Sequence, residues 1–119
     1  MSIEVPISQL SDELDRRAFG YLISVGDDRR SHVVALRPRV IVDDGVVVVR
    51  FVTESRRAAS NVGTNADVTV VFPPVDGDVD GMSLIVDGTA TPGPGCIDVA
   101  PTWAVLHRAA PPIGEGDAR

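Results

Sequence analysis

The sequence predicts a mainly β protein, a small antiparallel barrel of six strands with one or two short helices. Valine is abundant, and it favours strands because its branched Cβ packs well on a pleated surface. Nine prolines and eleven glycines cut the apolar chain into short segments. Turn signals such as Asp43-Asp44-Gly45 and Pro92-Gly93-Pro94-Gly95 separate those segments, so neighbouring strands connect as hairpins and not through long helices. With 119 residues there is room for one core.

The elements follow in order. Ile7, Leu10, Leu14 and Ala18 share one helical face, with Asp12, Glu13, Asp15, Arg16 and Arg17 on the others, which predicts an amphipathic helix from Ser8 to Ala18. Phe19 to Val25 reads as the first strand, closed by Gly26-Asp27-Asp28. Ser31 to Val42 reads as the second, with Arg37-Pro38-Arg39 marking an edge or a bend because proline cannot donate to the ladder. Asp43-Asp44-Gly45 turns into the third strand, Val46 to Thr53. A short helix follows, then a fourth strand, Val68 to Phe72, stopped by Pro73-Pro74. An acidic loop, Val75 to Met82, leads to the fifth strand, Ser83 to Thr91, and Ile97 to His107 is the sixth. Residues 1–108 form the domain, and the tail from Ala109 to Arg119 has nothing to bury, which predicts disorder.

Composition excludes several functions. The net charge is −6 and the pI about 4.7, which argues against nucleic acid or an anionic membrane as partner. All eleven basic residues are arginine, so no lysine offers Schiff-base chemistry. Cys96 is alone, which leaves no intrachain disulfide and no multi-cysteine metal site. No leader or membrane-length apolar run is evident, so the expected location is cytoplasmic. The apolar fraction of 44% and mean hydropathy of +0.13 are high for a small monomer, and a homodimer is expected to bury the excess.

Phe51-Val52-Thr53-Glu54-Ser55-Arg56-Arg57 carries the chemistry. An apolar strand runs into a Thr/Glu/Ser helix-start signal, and two arginines open the helix. Free N–H groups and the positive end of the dipole favour an anion at such a point, and two guanidinium forks suit a phosphate. The plain alternative is a capped helix with a solvated arginine pair.

Within Ser31 to Phe72 these residues resemble the flavin-binding part of the pyridoxamine 5′-phosphate oxidase-like split-barrel family. Its RxVLLK strand is matched by His32-Val33-Val34-Ala35-Leu36-Arg37, its Tyr-Thr or Phe-Thr step by Val52-Thr53, and its Ser-Arg-Lys by Ser55-Arg56-Arg57. Asn61 or Asn65 stands for its later Asn. Ser83 to Ala90 and Ala104 to Arg108 are similar to the last strands of short actinobacterial members. The resemblance implies a six-stranded split-barrel homodimer with FMN at the interface. The phosphate would sit on Arg56 and Arg57, helped by Arg37 and the Thr53 or Ser55 hydroxyl, with the backbone of His32 to Val34 along the ring and Val52 among the cofactor-binding residues. Some relatives bind a deazaflavin coenzyme, factor 420, and others tetrapyrroles, so that coenzyme, or no cofactor, is the alternative. The implied chemistry is hydride transfer by an oxidoreductase of unspecified substrate, or a binding module without turnover. Two departures stand out. His32 replaces the leading Arg, and the chain has no counterpart of the C-terminal Arg-x-His that grips pyridoxal, so pyridoxamine phosphate oxidation is not implied.

The catalytic group is unknown; His32 and Tyr21 are candidates by elimination, and a solvent-facing strand position is the plainer expectation for His32. A rival signal is Asp76-x-Asp78-x-Asp80-Gly81 with Asp87, the first half and closing carboxylate of a calcium loop, set against an acidic hairpin loop that binds nothing. Trp103 is expected in packing or an interface, His107-Arg108 at a structural edge, and Arg50 on the barrel exterior or in a ligand groove.

Overall fold

The computed structural model describes residues 2–75 and 81–110. All six predicted strands are present, and two features raise the count to eight. Ser2–Glu4 forms an additional strand (β1), and Pro38 divides the predicted second strand in two. The strands are then β2 (Gly20–Val25), β3 (Ser31–Leu36), β4 (Pro38–Asp43), β5 (Val46–Val52), β6 (Asp67–Phe72), β7 (Ser83–Gly93) and β8 (Cys96–His107).

Their order is β3-β2-β6-β7-β8-β5-β4, all antiparallel. The chain's path explains the barrel. β3 and β4 lie at opposite edges of this sheet, yet Arg37 alone separates them in sequence. The two edges must therefore meet at that corner, and the sheet curls without β3 and β4 pairing. At the other open seam β8 is shared. Its first residues pair with β5 (Val99 with Val49, Ile97 with Phe51), while Val105 to His107 pair with β1.

Turn chemistry sets the hairpins. Asp44 and Gly45 both have positive φ, as a two-residue loop of the I′ type requires. Pro94-Gly95, with Gly95 at φ +67, joins β7 to β8 as Pro and Gly do in a type II turn. In β7 the register shifts at Asp87/Gly88, where a Cβ on Gly88 would meet the Ala100 carbonyl oxygen at 2.6 Å. Only glycine allows that backbone approach.

The predicted N-terminal helix is shorter than Ser8 to Ala18. A 3-10 turn (Ile7–Gln9) leads into α1 (Leu10–Asp15). The physical cause is Arg17, which the amphipathic pattern assigned to the polar face. Its guanidinium is buried instead, donating to the carbonyls of Pro73 and Met82 at 2.9 Å each and lying 3.5 Å from Glu13. A buried cation must be satisfied, and those carbonyls draw the chain out of the helix. Ala18 is exposed accordingly.

The core follows the period-two pattern. Val47, Val49 and Phe51 point inward from β5, and Val68, Val70 and Phe72 from β6. Leu10 and Leu14 of α1 join them. No helix of the described residues is long and apolar enough to cross a membrane. Asp76, Asp78 and Asp80 of the acidic loop, and most of the tail, lie outside the described residues.

Candidate functional site

Helix α2 (Arg56–Thr64) starts where the sequence places it, and local chemistry explains why. The Ser55 hydroxyl accepts from the Ala58 N–H at 3.2 Å, an N-cap that satisfies one of the helix's orphan donors. One step earlier the Thr53 hydroxyl accepts from the Ser55 N–H at 3.1 Å, which folds the approach to the cap. Ala58, Asn61 and Val62 form the buried face of α2. Asn61 donates to the Ser24 hydroxyl at 3.2 Å and ties the helix to β2.

The first turn of α2 opens on a cavity of about 310 Å³. Thr53, Ser55, Arg56 and Ala59 line one wall, and Gly93, Gly95 and Cys96 of the β7–β8 hairpin line the other. The Thr53 N–H donates to the Gly95 carbonyl at 3.0 Å and fixes the two walls together. The first-turn N–H group of Arg56, a residue of the cavity wall, has no intrahelical partner. Both hydroxyl oxygens accept from N–H groups, so their own protons remain available to a ligand. A cationic side chain, two hydroxyls and a free N–H at one hollow suit a phosphate. Glu54 also reaches the rim and opposes that charge in part.

The predicted site residues are only partly gathered here. Arg56 lines the cavity, whereas Arg57 points to the β2–β3 turn and pairs with Asp28 at 3.2 Å. Arg37 is exposed at the β3–β4 corner, next to Pro38, which pairs with Phe51 two residues before Thr53. Val52 is 65% exposed on the outer face of β5. Along β3, Val33 is 54% exposed on the outer face and Val34 packs against the core. Since β3 is an edge strand, its second row of backbone N–H and C=O groups has no strand partner among the described residues.

His32 differs from expectation. It is half-buried, paired with the fully buried Ser24, and its Nδ1 is buried without a hydrogen-bond partner. The alternation of β3 turns His32 to the same side as Val34 and Leu36, away from the solvent face.

A larger, open groove of about 430 Å³ lies on the outer face of β2, β6 and β7. It contains Asp67 and Asp87, and none of its lining residues is basic, so it does not suit an anion. Asp87, the proposed closing ligand of a calcium loop, accepts a 2.6 Å hydrogen bond from the Thr69 hydroxyl within the sheet. Among the described residues no group of three or more His, Cys, Asp or Glu side chains is gathered for a metal.

Arg50 lies on the exterior, donating to both Asp98 carboxylate oxygens at 2.7 and 2.9 Å. Those hydrogen bonds hold the Asp98 carboxyl below its ordinary pKa and raise that of Arg50. A depressed carboxyl contributes stability above its unfolded pKa and loses it as pH falls through the folded value. The destabilisation caused by Asp98→Asn, measured by urea unfolding, is therefore expected at neutral pH, should begin to shrink as pH falls below about 4, and should vanish as pH falls through the lowered folded value. A pH-independent difference would contradict this. Two further sequence candidates, both on β8, are placed by hydrogen-bond partners on β1. Trp103 is 42% exposed with its Nε1 donating to Glu4, and His107 Nδ1 is 3.1 Å from the Ser2 hydroxyl.

Sequence reasoning did not identify Cys96 and Gly95 as neighbours of Arg56, nor Asp28 as the partner of Arg57. No local signal links residues 42 and 29 positions apart, as Thr53 and Gly95 or Asp28 and Arg57 are.

No family model matches the chain. It is 33% identical over 128 aligned positions to the uncharacterized proteins Mb0449c of Mycobacterium bovis and MT0457 of Mycobacterium tuberculosis, covering 92% of this chain and 84% of each relative. Similar folds occur in a candidate pyridoxamine 5′-phosphate oxidase of Listeria innocua (TM-score 0.59, 15% identity, 84% of this chain and 96% of that one). The FAD-binding protein of Mycobacterium smegmatis is similar too (0.58, 20%, 88% and 97%). So is the haem storage protein HutZ of Vibrio cholerae (0.59, 11%, 82% and 90%).

Proposed function

We infer that this chain, which belongs to one family with the two mycobacterial proteins and has the pyridoxamine 5′-phosphate oxidase-like split-barrel fold, binds a flavin-type cofactor and works as a small oxidoreductase. The observation that carries the reading is the cavity at the start of α2, where Arg56, Thr53 and Ser55 present phosphate-binding groups in an otherwise acidic chain. A volume of about 310 Å³ takes the phosphate end of FMN and leaves the ring to lie outside on the sheet. The backbone edge of β3 at His32 to Val34, which has no strand partner among the described residues, offers donors and acceptors for the polar rim of such a ring. Two structural neighbours are named for binding FAD or storing haem, which supports a planar ligand on this fold.

When bound, the flavin supplies hydride transfer at its ring. The chain's contribution is placement. Arg56 holds the phosphate, the Ser55 cap and the Asn61–Ser24 bond fix the helix that carries it, and Arg37 adds positive charge at the nearby corner. The protein acts as a homodimer in this reading, with exposed Tyr21, Val33, Val52 and Trp103 as the apolar surface a second copy would cover.

The test is a visible spectrum of the purified protein followed by titration with FMN and, separately, with the deazaflavin coenzyme. Flavin bands or saturable quenching of added FMN are expected, with sedimentation of the same sample at twice the chain mass. Binding of the deazaflavin alone would change the cofactor. Binding of neither would reduce the reading to a barrel without a redox cofactor.

A further inference from the structure

Adjacent residues on a helix point about 100° apart, and the two arginines at the start of α2 have different surroundings. Arg56 lines the cavity, whereas Arg57 is not among its lining residues and donates from Nη2 to Asp28 Oδ2 at 3.2 Å. Asp28 is itself oriented, since its Oδ1 accepts from the Arg30 N–H at 3.0 Å and fixes the carboxylate within the β2–β3 turn. Both side chains of the pair are about half exposed. An ion pair of this kind is weak, and a dianionic phosphate offers an arginine a stronger, charge-assisted partner.

We propose that the Asp28–Arg57 pair is a latch on the anion site, holding the second arginine aside in the free protein and releasing it to the phosphate when the ligand arrives. This rests on the flavin reading above. In the free state the latch also relieves repulsion between two neighbouring guanidinium groups. Ligand binding must break the pair, so Asp28 lowers affinity although it lies outside the cavity.

The experiment is titration of FMN fluorescence at low ionic strength against the wild type, Asp28→Asn and Asp27→Asn, each with and without Arg57→Gln. Asn at position 28 keeps the Oδ1 acceptor for Arg30 and replaces the charged Oδ2 that Arg57 contacts by an NH2 group that cannot accept. Asp27→Asn makes the same charge change in the same exposed turn without touching Arg57. A latch predicts that Asp28→Asn binds FMN severalfold more tightly than Asp27→Asn. It also predicts that Arg57→Gln weakens binding more in the Asp28→Asn background than in the wild type. Equal tightening by both asparagine variants would reduce the effect to bulk charge and overturn the latch. Weaker binding by Asp28→Asn would mean that Asp28 aims Arg57 at the anion, which also overturns it. If the wild type binds FMN and the two substitutions are additive, the latch alone fails. If neither the wild type nor Asp28→Asn binds, the flavin reading fails and takes the latch with it.

Discussion

Arg56→Ala is expected to lower FMN affinity by about ten- to a hundredfold, on a scale of ~1.5–3 kcal/mol for a hydrogen bond to a charged group. Arg56 is the arginine that lines the cavity at the Ser55-capped helix start, so its fork adds to its own unpaired N–H and to the positive end of the helix. Arg57→Ala alone should cost less, because part of that side chain's interaction is held by Asp28 in the free protein. The two replacements together should cost several kcal/mol if both forks engage the phosphate. The fold should tolerate the change, since Arg56 is exposed and alanine is the best helix former. Arg56→Lys sharpens the result, because lysine keeps the charge and loses the planar fork, so an intermediate affinity would identify bidentate recognition. Affinity unchanged in Arg56→Ala, measured by the same FMN titration with thermal unfolding as control, would remove the phosphate assignment.

The parts of this molecule that were legible beforehand are those set by local rules. Apolar runs predicted β5 and β6 as strands, Asp44-Gly45 and Pro94-Gly95 predicted their turns, and Ser55 predicted the start of α2; which residues of the Val46–Val49 run face inward appears only in the structure. Pro38 predicted a bend, and that bend proved to be the corner that brings the sheet edges together. What escaped was decided by partners distant in sequence. Arg17 reads as a surface residue of an amphipathic helix until the carbonyls of Pro73 and Met82 appear beside it. Arg50 becomes an exterior ion pair only through Asp98 on a strand 48 residues away. Strand β1 is exposed throughout, so no buried face marked it; its place depends on the edge that β8 leaves free. The site shows the same division. Its helix start was visible, while the facing wall of Gly93, Gly95 and Cys96 depends on how β8 docks on β5.

Phe51→Ala should have the largest effect on the fold itself and separates stability from the site. Phe51 is fully buried on β5, facing Pro38 across one ladder and Ile97 across the other. Truncation removes a large aromatic group and leaves a cavity that neighbouring strands, fixed by their ladders, fill poorly, at a cost of ~3–5 kcal/mol. For a domain of this size that corresponds to a fall in Tm of roughly 12–20 °C. Against a typical total of about 5–15 kcal/mol, it is a large share of the stability. Val52, the next residue, points outward and is 65% exposed, so Val52→Ala should change Tm little in the isolated chain and serves as the matched control. Thr53, one residue further, is held by its N–H bond to the Gly95 carbonyl, and Ser55 by the Thr53 hydroxyl, so the cavity wall has fastenings of its own. Well below its lowered Tm, the Phe51→Ala protein should therefore keep FMN affinity within a few-fold of the wild type. A large loss of affinity at such temperatures would instead mean that the core at Phe51 sets the position of the Thr53–Arg56 segment, and that packing and phosphate binding are coupled across the end of β5.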